Sequence, residues 1–202
     1  MGIELVGTRT AGMTELESLA ERLQPRDRNN LAIASAYWDH HACSTAIDLA
    51  ARAGGRARLV LWTAGGTRRA WSAAREASDD PGLELRFIDS PPEAGIFHAK
   101  LAGLVAADGM WTAALVGSAN LTTAGRTTNV ELGVLMDAEE TDALLGLQRW
   151  YDELWDAALP AADLDWATAL EIAPERSEAA ARKRIFAEAR LAPPAPASPA
   201  PG

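Results

Sequence analysis

Two apolar runs flank an Asp-Gly turn between residues 97 and 116. The first reads FHAKLAGLV, the second MWTAALV, and Ala106-Ala107-Asp108-Gly109 separates them. Asp-Gly between alternating apolar runs is a strong signal for a tight antiparallel hairpin. Upstream the pattern differs. Leu31–Trp38 (LAIASAYW), Ala57–Trp62 (ARLVLW) and Leu83–Ile88 (LELRFI) are strand candidates, separated by helical stretches over about 40–53 and 68–77. Strands alternating with helices favour parallel neighbours, and the hairpin adds antiparallel ones. The expected class is therefore an α/β sandwich with a mixed β-sheet.

The remaining segments fit around that sheet. Thr14 and Glu17 have capping-box spacing before an apolar stripe of Leu16, Leu19, Ala20 and Leu23, and Pro25 ends that helix. Val130–Met136 is a last strand. Residues 138–159 read as one amphipathic helix with Leu144, Leu147, Trp150, Tyr151, Leu154 and Trp155 on its apolar side. Residues 161–172 are ambiguous, and 175–191 read as a charged helix. The tail from Ala192 is almost all proline and alanine, which suits an extended or disordered end. The expected organisation is a domain over 1–160, a helical extension over 161–191 and a tail over 192–202, the tail being either a solvated end or a tether to a protein partner.

At 202 residues the chain is long enough for one domain with a substantial core. No stretch resembles a signal peptide or a membrane span, and the single cysteine, Cys43, excludes an internal disulfide. A soluble, cytoplasmic protein with no membrane partner is the expectation. Cys43 itself is expected to be a small buried residue.

The formal net charge of −9 argues against indiscriminate binding of nucleic acid. The acid is unevenly placed, however, with much of it between residues 137 and 165. Arg52–Arg75 holds six arginines and no acid. That stretch is either a solvated helix face or a patch facing a polyanion.

Chemistry-bearing residues gather around the hairpin. His98 and Lys100 are two apart on a strand candidate, so period two places both on one face. Gly117-Ser118-Ala119-Asn120 leaves the second hairpin strand, and Glu131 opens the next. This inventory suits attack on a phosphodiester. Imidazole can act as nucleophile or general acid, and lysine and asparagine can stabilise charge on phosphate oxygens. A carboxylate can orient an imidazole through its second nitrogen. Of the 19 basic residues only Lys100 and Lys183 are lysines, so a lysine beside His98 stands out against an arginine background.

Other positions carry two readings. Thr67 and Arg68 follow Thr63-Ala64-Gly65-Gly66 between a strand and a helix, which is either a tight turn or a phosphate contact. Arg126 is either a plain loop arginine or a phosphate contact. Asp39 is placed to cap the following helix. Asp39-His40-His41 matches a triplet of a different, metal-dependent phosphoesterase family, but the further aspartates that family needs are not placed. The two histidines then belong to the surface or to a pocket at the strand ends.

His98, Lys100, Gly117, Ser118 and Asn120, in this order, resemble the phospholipase D (PLD) superfamily, whose signature is His-x-Lys followed by Gly-Ser-x-Asn. The family's aspartate would fall at Val105, and Asp108 is three residues out of register. The pattern looks like the reduced His-Lys-Asn-Glu form of some nucleases in the superfamily, with Glu131 as the trailing carboxylate. The resemblance implies helices on both faces of the sheet. It also implies a reaction in which one histidine attacks phosphorus and a second, from another motif copy, protonates the leaving oxygen. One copy is present here, so a homodimer completing the active site is expected. Lys100 and Asn120 would hold the phosphate, Ser118 would add a hydrogen bond, and Glu131 would set a histidine tautomer. Neither metal nor other cofactor is required by that chemistry.

The expected activity is thus that of a metal-independent phosphodiesterase, a nuclease with DNA as the expected substrate. A hydrolase or transferase acting on lipid or small phosphodiesters is a second reading. A non-catalytic PLD-like module within a larger assembly is a third, for which the missing aspartate leaves room.

Overall fold

The computed structural model describes residues 3–7, 19, 29–89, 97–124 and 132–175. Eight strands form one sheet: β1 Ile3–Gly7, β2 Asn30–Ser35, β3 Ala57–Trp62, β4 Leu83–Ile88, β5 Lys100–Val105, β6 Trp111–Gly117, β7 Leu132–Asp137 and the two-residue β8 Leu159–Pro160. Their spatial order is β1-β7-β6-β5-β2-β3-β4-β8. β2, β3 and β4 are parallel, and every other pairing is antiparallel. The helices are α1 Ala42–Arg52, α2 Arg68–Ala77, α3 Thr141–Ala157 and α4 Trp166–Ile172.

Both faces of the sheet are covered, as the expected class requires. On one face Leu31, Ile33, Leu59 and Leu61 meet Ala46 and Leu49 of α1, Trp71 and Ala74 of α2 and Ala169 of α4. On the other, Ala32, Ala34, Val60 and Ala114 meet Leu144, Tyr151 and Trp155 of α3. Strands apolar on both faces suit burial in the middle of such a sandwich. α3 is also fastened by polar contacts. The Tyr151 hydroxyl donates to the Arg58 carbonyl at 2.7 Å, and the Arg58 and Arg86 guanidinium groups lie 4.2 and 4.5 Å from the Trp155 ring centroid. Ala161, Ala169 and Ala173 join the first core. Cys43 is buried, and burial pushes its thiol up to about 12.

The expected bounds of β3, α2 and β4 match, and Gly109 turns the β5–β6 hairpin with φ of +88°. Other expectations need correction. β2 stops at Ser35 rather than running to Trp38, because the Ser35 hydroxyl donates to the Tyr37 carbonyl and the chain bends. The Trp38 ring turns into the core beside Trp71 and Phe87. Asp39 is not the helix cap. His41 occupies that position without a side-chain bond, and the carboxylate of Asp39 serves elsewhere. Trp150 is 42% exposed although its spacing put it on the apolar side of α3. β1 and β8 were not expected, since neither has a pattern of its own and each is defined by its pairing with β7 or β4. Of the expected first helix only Leu19 is described, and it is buried in the core. The helix over 175–191 and the tail lie outside the described residues, save Glu175.

Candidate active site

Antiparallel pairing brings distant residues to one end of the sheet. Lys100, the first residue of β5, lies opposite Ser35, the last residue of β2. The Ala36 amide donates to the Ala99 carbonyl at 2.9 Å and carries the pairing one step toward His98. On the other side of β5, β6 runs back to this end, and the Leu121 amide donates to the Ser35 hydroxyl at 3.0 Å. Ser35 therefore ties the strand of Lys100 to the residue after Asn120.

The Lys100 ammonium is 3.1 and 3.2 Å from the two His98 ring nitrogens and donates to the His98 carbonyl at 3.3 Å. The ammonium offers donors only and lies against both ring nitrogens, so which of them accepts depends on the imidazole tautomer. The imidazole is solvent-exposed, as attack on a large substrate requires. Its edge meets the Tyr37 ring at 5.8 Å and 78°, and Tyr37 in turn meets Trp62 at 5.8 Å and 76°. Tyr37 and Trp62 are buried, with Ile88 and Phe97 packed against them. His98 thus has an aromatic support at the ends of β2 and β3.

The Gly-Ser-x-Asn turn is held from two sides. The Ser118 amide donates to the Leu132 carbonyl at 3.0 Å, and the Leu132 amide donates to the Ser118 hydroxyl at 3.1 Å. Leu121 pairs with Trp38 in a parallel bridge. Beyond it, one Asp39 oxygen accepts from the Thr123 amide at 2.5 Å and the Thr123 hydroxyl at 2.7 Å, while the other accepts from the His41 amide at 2.9 Å. Burial pushes the Asp39 carboxyl up, but these donors outweigh it and hold the pKa below the ordinary carboxylate value. Asn120 Oδ1 is buried and accepts no hydrogen bond among the described residues, as is the Trp62 indole N–H on the donor side. A buried amide oxygen without a donor is costly.

No curated protein matches the sequence. The family model described as "Cardiolipin synthase, PLD-like domain" matches residues 26–155. The chain belongs to this PLD-like family. Nuc from Salmonella typhimurium, a phospholipase D family member, superposes with a TM-score of 0.58 at 16% identity, covering 78% of this chain and 96% of that one. NucT from Helicobacter pylori gives 0.56 at 16% identity, over 78% and 99%. Phosphatidylserine synthase from Haemophilus influenzae gives 0.54 at 15% identity, over 94% of this chain and 47% of that one. At such identities the likeness concerns the fold.

In this PLD-like domain His98, Lys100, Ser118 and Asn120 share one sheet end. Glu131 and Arg126 lie outside the described residues. Thr67 and Arg68 sit at the neighbouring β3–α2 turn and have local bonds. Thr67 Oγ1 accepts from the Ala70 amide at 3.3 Å as the α2 cap. The Arg68 guanidinium pairs with Glu175 at 2.9 Å and donates to the Glu171 carbonyl at 3.3 Å. Val105, at the family's aspartate position, is buried in the second core. The sequence reading missed Ser35, Tyr37, Trp62 and Asp39 as parts of the site. They contact residues distant in sequence, such as Leu121, His98 and Thr123, so no local spacing marks them.

Proposed function

We propose that this PLD-like protein is a metal-independent phosphodiesterase, a nuclease acting through a phosphohistidine in a homodimeric site. The observation that carries the reading is the His98–Lys100 contact beside Asn120. One nucleophilic imidazole, one ammonium and one carboxamide share a sheet end. A His98 ring nitrogen attacks phosphorus and the P–O bond to the leaving group breaks. The leaving oxygen takes a proton from the partner's His98. That imidazole then accepts a proton from water, whose oxygen attacks phosphorus and displaces neutral His98. Splitting nucleophile and acid between two imidazoles spares one ring from both tasks. Lys100 and Asn120 stabilise the charge on the non-bridging oxygens, with Ser118 adding a hydrogen bond. Glu131 orients a histidine and Arg126 is a candidate phosphate contact around the site, whereas the side chains of Thr67 and Arg68 are engaged within the fold.

The dimer follows from the motif count: the sequence carries one His-x-Lys pair, and a reaction using two histidines needs a second. The fold spans nearly all of Nuc and NucT but about half of phosphatidylserine synthase, as a single unit would against a larger chain. The long match to the synthase favours a second reading, transfer of a phosphatidyl group.

Cleavage of DNA should survive EDTA and be lost in His98→Ala, with a drop of about 10²–10⁴-fold. Activity abolished by EDTA and restored by a divalent ion would refute the mechanism. Turnover of phospholipid with DNA untouched would select the second reading.

A further inference from the structure

Past the aromatic support the chain runs through Asp39, His40 and His41 into α1. The His40 and His41 rings lie 3.9 Å apart at a 40° tilt. Arg69, in the first turn of α2, acts electrostatically on His40. Burial first, then the positive fields of His41 and Arg69, push the His40 pKa down, and only the Asp39 carboxylate opposes them. That carboxylate is already bonded to Thr123 and the His41 amide. Arg69 has no carboxylate within ion-pair distance among the described residues, whereas its neighbour Arg68 is paired.

The Trp38 amide donates to the Gly65 carbonyl at 3.4 Å, which brings the turn leading to Arg69 alongside the turn leading to His40, so two adjacent imidazoles and a guanidinium share this edge with one carboxylate committed elsewhere. A cation does not fit them: among the described residues no three His, Cys, Asp or Glu side chains converge as a ligand set, and Arg69 would repel it. An anion accepting from imidazole and guanidinium groups would relieve the like-charge repulsion.

We propose that His40, His41 and Arg69 form a second phosphate position, taking a neighbouring phosphodiester of the same nucleic-acid strand whose scissile phosphate sits at His98. The proposal rests on the phosphodiesterase reading for the scissile position. Two connections hold the positions together. Tyr37 touches His98 and precedes His40 by three residues, a span of at most about 11 Å. Asp39, immediately before His40, holds Thr123, three residues after Asn120. A strand spaced at roughly 3.4 Å of axis per nucleotide can bridge that span within a few nucleotides. Arg69 also gives the arginine-rich stretch a specific member: Arg68 is engaged by Glu175, and Arg69 is near enough to His40 to act on it electrostatically. Binding of phosphate favours charged His40, so it takes up a proton and weakens as pH rises. The groups setting this titration are His41, Arg69 and Asp39.

The test uses the full chain with His98→Ala, so that substrate is bound and not cut, and a fluorescent single-stranded deoxyoligonucleotide. Adding Arg69→Ala should weaken binding about 10-fold and flatten the salt dependence by roughly 0.7 in log–log slope. His40→Gln with His41→Gln should weaken it similarly and remove its pH dependence. Arg68→Ala is the control for general electrostatics. Equal losses from Arg68→Ala and Arg69→Ala, or affinity and slope unchanged in Arg69→Ala, would overturn the proposal. Hydrolysis of bis(p-nitrophenyl) phosphate by the wild-type chain separates the two readings. If it proceeds while Arg69→Ala leaves oligonucleotide binding intact, the second position fails and the phosphodiesterase stands. If it is absent while binding depends on Arg69, the converse holds.

Discussion

Two turns leave parallel strands at the same end of the sheet. The turn after β3 contains Thr67 and Arg68, and the turn after β2 contains Asp39, His40 and His41. Both combine a short polar side chain with basic residues at the start of a helix. Their environments differ. Thr67 caps its own helix, Arg68 is paired with Glu175, and the Arg68 amide donates to the Pro174 carbonyl at 2.9 Å. A Cβ on Gly65 would sit 1.8 Å from the Ala36 carbonyl oxygen, and one on Gly66 2.4 Å from the Trp38 ring. The β3 turn is a closed structural joint. The β2 turn sends its carboxylate across to Thr123 and leaves two adjacent imidazoles, with His40 within the electrostatic reach of Arg69. A glycine turn at a helix start is thus a poor guide to anion binding when neighbouring elements have already used its donors.

Breaking the joint should have the largest effect on folding. Gly65→Ala must push the Ala36 backbone, the strand end that supports Tyr37 and His98. A loss of about 1–3 kcal/mol, toward the upper end, is expected in urea or thermal unfolding, with activity falling in parallel. Wild-type stability in that variant would show the two turns are not packed as described.

Asp39→Asn tests the other turn. Replacing charge-assisted bonds with neutral ones should cost about 1 kcal/mol near neutral pH. The folded pKa of Asp39 lies below its unfolded value, so its contribution is present above the unfolded value of about 3.9 and is lost as pH falls through the folded one. The stability gap between wild type and Asp39→Asn should therefore close in acid. A gap independent of pH would mean that the carboxylate charge is irrelevant to the Thr123 clamp.

The arginine pair sharpens the contrast at smaller magnitude. Arg69→Ala should leave unfolding within about 0.5 kcal/mol of wild type while weakening oligonucleotide binding. Arg68→Ala should do the reverse, costing about 0–1 kcal/mol for an exposed pair and changing affinity less than twofold. Calorimetry and fluorescence anisotropy on the two variants suffice to detect a reversal of these assignments.

Much of the architecture was legible because its signals are local. Apolar runs with period two or 3.6, the Asp-Gly turn and the glycines between strands and helices mark β3, α2, β4 and the β5–β6 hairpin without reference to distant residues. β1 and β8 escaped because a five-residue and a two-residue strand exist only through their partners. Trp150 escaped because helical spacing defines a stripe, not how far the opposing sheet extends beneath it.

The sequence by itself determined the inventory of the candidate site, the order of its motif and the class of fold that could present it. The two-residue spacing of His98 and Lys100 keeps both at one sheet end even though β5 begins only at Lys100. Tertiary structure decided which polar side chains are already engaged. Arg68 or Arg69, Thr67 or Asp39 cannot be ranked from spacing, because a hydrogen bond or ion pair depends on which element lies a few ångströms away. That proximity is set by strand order, and strand order closes contacts between residues more than eighty positions apart, as Asp39 and Thr123 are.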